Sequence, residues 1–149
     1  MGYNSRNEPA MPIEDMARRE VVTVEPDTSA SEIAAVLEEE RVGSAVVVSG
    51  DEPVGIVTDR DIALEVVAGG QDPDAVTAED VMTGDLLTVE PDELIYDTLD
   101  AMQDAGVRRI PVVEDGELVG IVTFDDFLVL ISSELEHMSD IVQAGAPEY

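Results

Sequence analysis

Gly55-Ile56-Val57-Thr58-Asp59-Arg60-Asp61 recurs as Gly120-Ile121-Val122-Thr123-Phe124-Asp125-Asp126. In each copy a glycine opens a β-branched run, Thr-x-x-Asp follows, and an apolar segment of helical length comes next. Such a pattern predicts a buried strand turning into a helix, with a hydroxyl and a carboxylate at the turn. The repetition extends well beyond this stretch. A shift of 65 residues aligns residues 14–62 with 79–127 without a gap, and 17 of the 49 positions are identical. Among them are Thr23-Val24-Glu25-Pro26-Asp27 and Thr88-Val89-Glu90-Pro91-Asp92, near the start of each copy. The chain is an internal duplication.

Both copies predict the same elements. Val21–Val24 and Leu86–Val89 read as short extended segments, each ended by Glu-Pro-Asp. Proline forbids a helix running through it, and the Asp after it offers a cap. A helix follows, with Ile33, Val36 and Leu37 at helical spacing in one copy and Ile95, Leu99 and Met102 in the other. Gly43 and Gly106 stand where a C-cap glycine is expected, although they differ by two in register. Continuous apolar strands at Ala45–Val48 and Ile110–Val113 lead through tight turns into Val54–Val57 and Val119–Val122, which should pair back on them. Helices over 61–68 and 126–133 complete each unit. The order is β-α-β-β-α, twice: an α/β (α+β) protein.

A copy of this size is marginal alone, and strands apolar on both faces need cover on both. The copies are therefore expected to pack with pseudo-two-fold symmetry, leaving two equivalent clefts where strand ends meet helix starts. Along the chain this predicts a loose leader over 1–12, repeat one over 13–70, a linker over 71–77, repeat two over 78–135, and a partly helical tail over 136–149. His137, the only histidine, lies in that tail beside Leu135, Met138 and Ile141, a spacing that suits packing or an interface.

Charge narrows the function classes. Thirty-five acidic residues face seven basic ones, all Arg, for a net charge of −28. The acids are spread through apolar, periodic segments rather than gathered in one tail. Such a surface repels itself, and salt makes it tolerable, since the Debye length falls to about 3 Å at 1 M. A halophile's cytoplasmic protein fits this balance. Nucleic acid and anionic membranes need a basic patch, so neither is expected as a partner. No apolar run approaches a membrane span, and residues 1–11 hold no secretory signal. With no Cys, no Lys and one His, the chain lacks the groups for a metal cluster or an activated nucleophile. No catalytic residue, metal site or enzyme activity is expected.

Thr58-x-x-Asp61 and Thr123-x-x-Asp126 can each be read as a helix-capping box. The same geometry also suits a nucleoside phosphate. A helix start offers N–H groups and a favourable dipole to phosphate, a Thr hydroxyl can donate to it, and an ionised Asp can accept from both hydroxyls of a ribose.

The doubled β-α-β-β-α unit, with Thr-Val-Glu-Pro-Asp near its start and Gly-Ile-Val-Thr-x-x-Asp near its end, resembles the CBS domain family. The tandem pair is similar to a stand-alone Bateman module and covers about residues 13–135. The resemblance implies regulatory binding of an adenosine compound (AMP, ADP, ATP or S-adenosylmethionine) in clefts between repeats; the acidic runs Glu38-Glu39-Glu40 and Asp125-Asp126 read as solvated faces and leave room for Mg²⁺ only as a nucleotide's companion. It also implies a disc-like homodimer that signals to a downstream protein. Under it, Asp61 and Asp126 hold ribose, and Thr58 and Thr123 lie on the phosphate side. Thr23, Ala45, Thr88 and Ile110 lie on the adenine side. Arg108 and Arg109 are surface counter-charges or, as in the family, reach a phosphate in the cleft whose Asp belongs to the other repeat. Repeat one has Gly43 and Ser44 at their positions, so the Asp61 cleft is expected to favour a phosphorylated nucleotide. The Asp126 cleft is expected to lack arginines and to bind more weakly or to take a neutral adenosine compound. The competing reading is a ligand-free dimerising scaffold.

Overall fold

The computed structural model describes residues 11–145, so the leader expected over 1–12 lies almost wholly outside the described residues. The first repeat holds β1 (Thr23–Val24), α1 (Ala30–Glu40), β2 (Ser44–Ser49) and β3 (Glu52–Thr58). A single α turn, α2 (Asp59–Asp61), then continues π-wound through Ile62–Val67. The second holds α3 (Ala78–Val81), α4 (Ile95–Ala105), β4 (Arg109–Glu114), β5 (Glu117–Thr123) and α5 (Phe124–Ala144).

The duplication is visible in the register. Ser44 pairs with Thr58 and Arg109 with Thr123 across the two antiparallel hairpins, and each hairpin slips one residue, after Val47 and after Val112. β1 lies parallel to β2, whereas Leu86–Val89 forms only one bridge, Val89 to Val112, instead of the expected strand.

Local details depart from expectation where a nearer group does the same work. The cap of α1 is Ser29, whose hydroxyl accepts from Glu32 N–H, not the Asp after the proline. Gly106 ends α4 in the left-handed region at φ 66°, but its counterpart is Arg41 at φ 55°, not Gly43. The repeats thus keep one register, and the two-residue discrepancy disappears. At the other end, α5 runs unbroken to Ala144, so the second repeat and the tail expected from residue 136 share one helix.

The leaders are exchanged between repeats. Ile13, at 0% exposure, belongs to the core of the second repeat with Val89, Met102, Ile110, Val112, Val122 and Phe127. Ala78, also at 0%, completes the core of the first with Val24, Ile33, Leu37, Ala45, Val47 and Val57. Matching backbone bonds hold both: Ile13 N–H to Glu93 O (2.7 Å) and Ala78 N–H to Thr28 O (2.8 Å). Each leader then lies against the opposite repeat's glycine-led strand, Arg18 pairing with Ile121 and Thr83 with Ile56. The glycines make room for this. A Cβ on Gly120 would stand 3.0 Å from the Arg18 carbonyl oxygen, and one on Gly55 would overlap the Met82 side chain. Between the repeats Val46, Ile56 and Ile121 form a third apolar cluster, flanked by Val21, Val48, Leu86 and Leu118. The clefts open beside this seam.

Candidate ligand-binding clefts

At both helix starts the capping box forms in full. Thr58 N–H donates to Asp61 Oδ2 (2.9 Å) and Asp61 N–H donates to Thr58 Oγ1 (3.1 Å). The second copy repeats this at 3.0 and 3.3 Å between Thr123 and Asp126. Capping does not use up these groups. A hydroxyl that accepts an N–H still has its own proton to donate, and a carboxylate oxygen has a second lone pair. Asp61 Oδ1 takes none of the described side-chain hydrogen bonds. The cap therefore aims the carboxylate, and one oxygen of Asp61 stays free for a ligand.

The first cleft, of about 220 Å³, brings Thr58 and Asp61 together with Arg108 and Arg109 of the other repeat. Its apolar wall is Ile56, Leu86, Leu87 and Val107, and Asp85 stands at its edge. Arg108 is exposed, lies 5.5 Å from the centroid of the Phe124 ring and approaches Asp125 at 3.7 Å. Arg109 forms no ion pair among the described residues. Its Nη2 stands 3.4 Å from where a Cβ on Gly43 would be, beside the Asp59 carboxylate. Gly43 thus ends no helix, and a side chain there would meet the guanidinium at ordinary van der Waals distance.

A second cleft, of about 240 Å³, holds Thr123, Ser44, Val21 and Val22. Its lining includes Glu20 and Asp125 but not Asp126, which lies behind Arg18, and it is not free of arginines as expected: Arg18, Arg41 and Arg109 all line it. Arg18 Nε and Nη2 both donate to Asp126 Oδ1, at 3.1 and 2.9 Å. In the 65-residue register Arg18 stands opposite Thr83. That mismatch was the available signal.

The four residues expected on the adenine side are not brought to these clefts. Ala45 and Ile110 are buried in the two repeat cores. Thr23 lines a broader adjoining groove of about 870 Å³, and Thr88 is exposed outside both clefts. Strand alternation turns Val24 and Val89 inward and their threonine neighbours outward. The walls come instead from Leu86–Leu87 and Val21–Val22, one and two residues earlier.

The family model for the CBS domain matches residues 13–68 and 78–133. The chain belongs to the CBS-domain family. It carries two CBS domains, and its fold is that of a CBS-domain pair. Protein MK0525 of Methanopyrus kandleri is 45% identical over 116 residues, which are 76% of this chain and 59% of that one. The chain thus spans about three fifths of that relative. The CBS domain pair of protein MJ0100, solved with 5′-methylthioadenosine and S-adenosyl-L-methionine, superposes with a TM-score of 0.76 at 27% identity, covering 85% of this chain and 99% of that one. Pyrobaculum aerophilum CBS domain protein PAE2072, complexed with AMP, gives a TM-score of 0.71 at 28% identity, covering 78% and 89%. CBS domains are in general regulatory rather than catalytic, and structural neighbours of this pair bind adenosine ligands. No helix among the described residues is long and apolar enough to cross a membrane.

Proposed function

We propose that this CBS pair is a cytoplasmic regulatory sensor, not an enzyme, that binds an adenosine nucleotide in the Asp61 cleft and passes the state of that cleft to a partner protein. One observation carries the reading: Thr58 and Asp61 of the first repeat meet Arg108 and Arg109 of the second against an apolar wall. A nucleotide has the matching parts. Its diol fits the free Asp61 oxygen, its base the wall of Leu86, Leu87 and Val107, and its phosphate the Thr58 hydroxyl and the arginines. The ligands in the MJ0100 and PAE2072 structures point to the same compound class. Among the described residues no three His or carboxylate groups gather into a metal site. Any Mg²⁺ would then arrive on the phosphates of ADP or ATP.

The cleft volume suggests how binding becomes a signal. At about 220 Å³ it falls below the usual range of roughly 300–1,000 Å³ for small-molecule sites. The cleft is open to solvent, so part of a nucleotide stays outside it, and a ligand held by residues of both repeats favours one arrangement of the module by its differential affinity for the two. Arg109 is the arginine best placed to hold phosphate, because it is partly buried and forms no ion pair among the described residues. Arg109→Ala is expected to weaken AMP at this cleft by about tenfold or more, and Arg108→Ala by less. Titration calorimetry decides; unchanged AMP affinity in both variants would remove the arginines from the site.

The scaffold reading has one observation in its favour. Leu128, Ile131, Leu135, Met138 and Val142 on α5 are exposed and alternate by three and four residues, the spacing of a coiled-coil seam. We take this face as the contact of a homodimer, which is compatible with ligand binding. Sedimentation should give a two-chain mass for the native protein and a one-chain mass for Leu135→Glu. A native monomer would refute the dimer.

A further inference from the structure

The exchanged leaders place different side chains over the two ribose carboxylates. Thr83 leaves Asp61 Oδ1 open, whereas Arg18 closes on Asp126 Oδ1 through Nε and Nη2. The two partners differ in exposure, 63% for the Arg18 side chain and 11% for that of Asp126. Arg18 can therefore swing into water at little cost, since ion pairs this exposed are weak. Asp126 cannot lose its partner so easily; a nearly buried carboxylate must be given new hydrogen bonds.

We propose that Arg18 is the specificity-determining residue of the second cleft, making it a site for an anionic adenosine nucleotide and not for a neutral nucleoside. A nucleotide satisfies both members of the pair. Its ribose hydroxyls donate to Asp126 Oδ1 in place of the guanidinium, and its phosphate accepts from the released Arg18. Arg41 and Arg109 line the same cleft, and with Arg18 they outnumber its two carboxylates, Glu20 and Asp125. A neutral nucleoside repays only the carboxylate, and it must push the guanidinium out of the space its ribose needs. This departs from the expectation that the cleft binds a nucleotide more weakly or takes a neutral adenosine compound. The inference rests on the reading of the clefts as adenosine sites.

The test isolates the second cleft with Asp61→Asn and compares that protein with Asp61→Asn/Arg18→Thr, the Thr copying position 83. Calorimetric titrations use AMP and adenosine. Removing Arg18 should weaken AMP by about tenfold and tighten adenosine, so the two affinities move in opposite directions. Movement in the same direction, or no movement of either, overturns the proposal. If Asp61→Asn binds neither compound while the native chain binds AMP, the second cleft is not a site and only this inference falls. If the native chain binds neither, the adenosine reading falls first and this one with it.

Discussion

Ile13→Ala is expected to destabilise the protein by about 2–5 kcal/mol, the range for truncating a fully buried aliphatic side chain. The location of the damage matters as much as its size. Ile13 opens the first repeat in sequence but sits in the core of the second, against Ile110, Val112, Val122 and Phe127. Hydrogen exchange should therefore show lost protection at Val112 and Val122 before Val47 and Val57. Loss centred on the first repeat would mean that the leaders are not exchanged. The consequence reaches the clefts, because the same leader carries Arg18 to Asp126 and its twin carries Thr83 to Ile56.

Asp61→Asn is expected to weaken adenosine nucleotide binding at the first cleft by at least tenfold with little change in stability. Hydrogen bonds to a charged group contribute about 1.5–3 kcal/mol, and the ribose loses its charged acceptor. Asparagine keeps one carbonyl oxygen, which can still accept from Thr58 N–H as Asp61 Oδ2 does now. The substitution thus separates binding from capping, which Asp61→Ala would not. A melting temperature well below that of the native chain, with affinity retained, would assign Asp61 to the helix start alone.

The two Thr-x-x-Asp turns could be read from sequence because everything they need is local. Strand, cap and carboxylate lie within seven residues, and the duplication repeats them in register. The arginines at the start of β4 were legible for a different reason: Arg108 and Arg109 break the repeat where its other copy has Gly43 and Ser44. The same comparison at Arg18 and Thr83 held a second signal, hidden by the fact that an arginine in a chain of charge −28 looks like a counter-charge. No local pattern marks the exchange of leaders, since Ile13 and Ala78 would look equally apolar in either core. The residues expected on the adenine side do not line the two clefts, because strand alternation says which residues face apart but not which face meets the cleft.

In the proposed sensor the free oxygen of Asp61 holds a ribose hydroxyl. A ligand–mutant cycle tests it most directly: AMP and 2′-deoxy-AMP titrated into the native chain and into Asp61→Asn, in molar KCl to screen the acidic surface. The native chain should bind AMP several-fold more tightly than the deoxy compound at its first cleft, and Asp61→Asn should lose that difference. An equal preference for AMP in both proteins, or no heat with either compound, would contradict it.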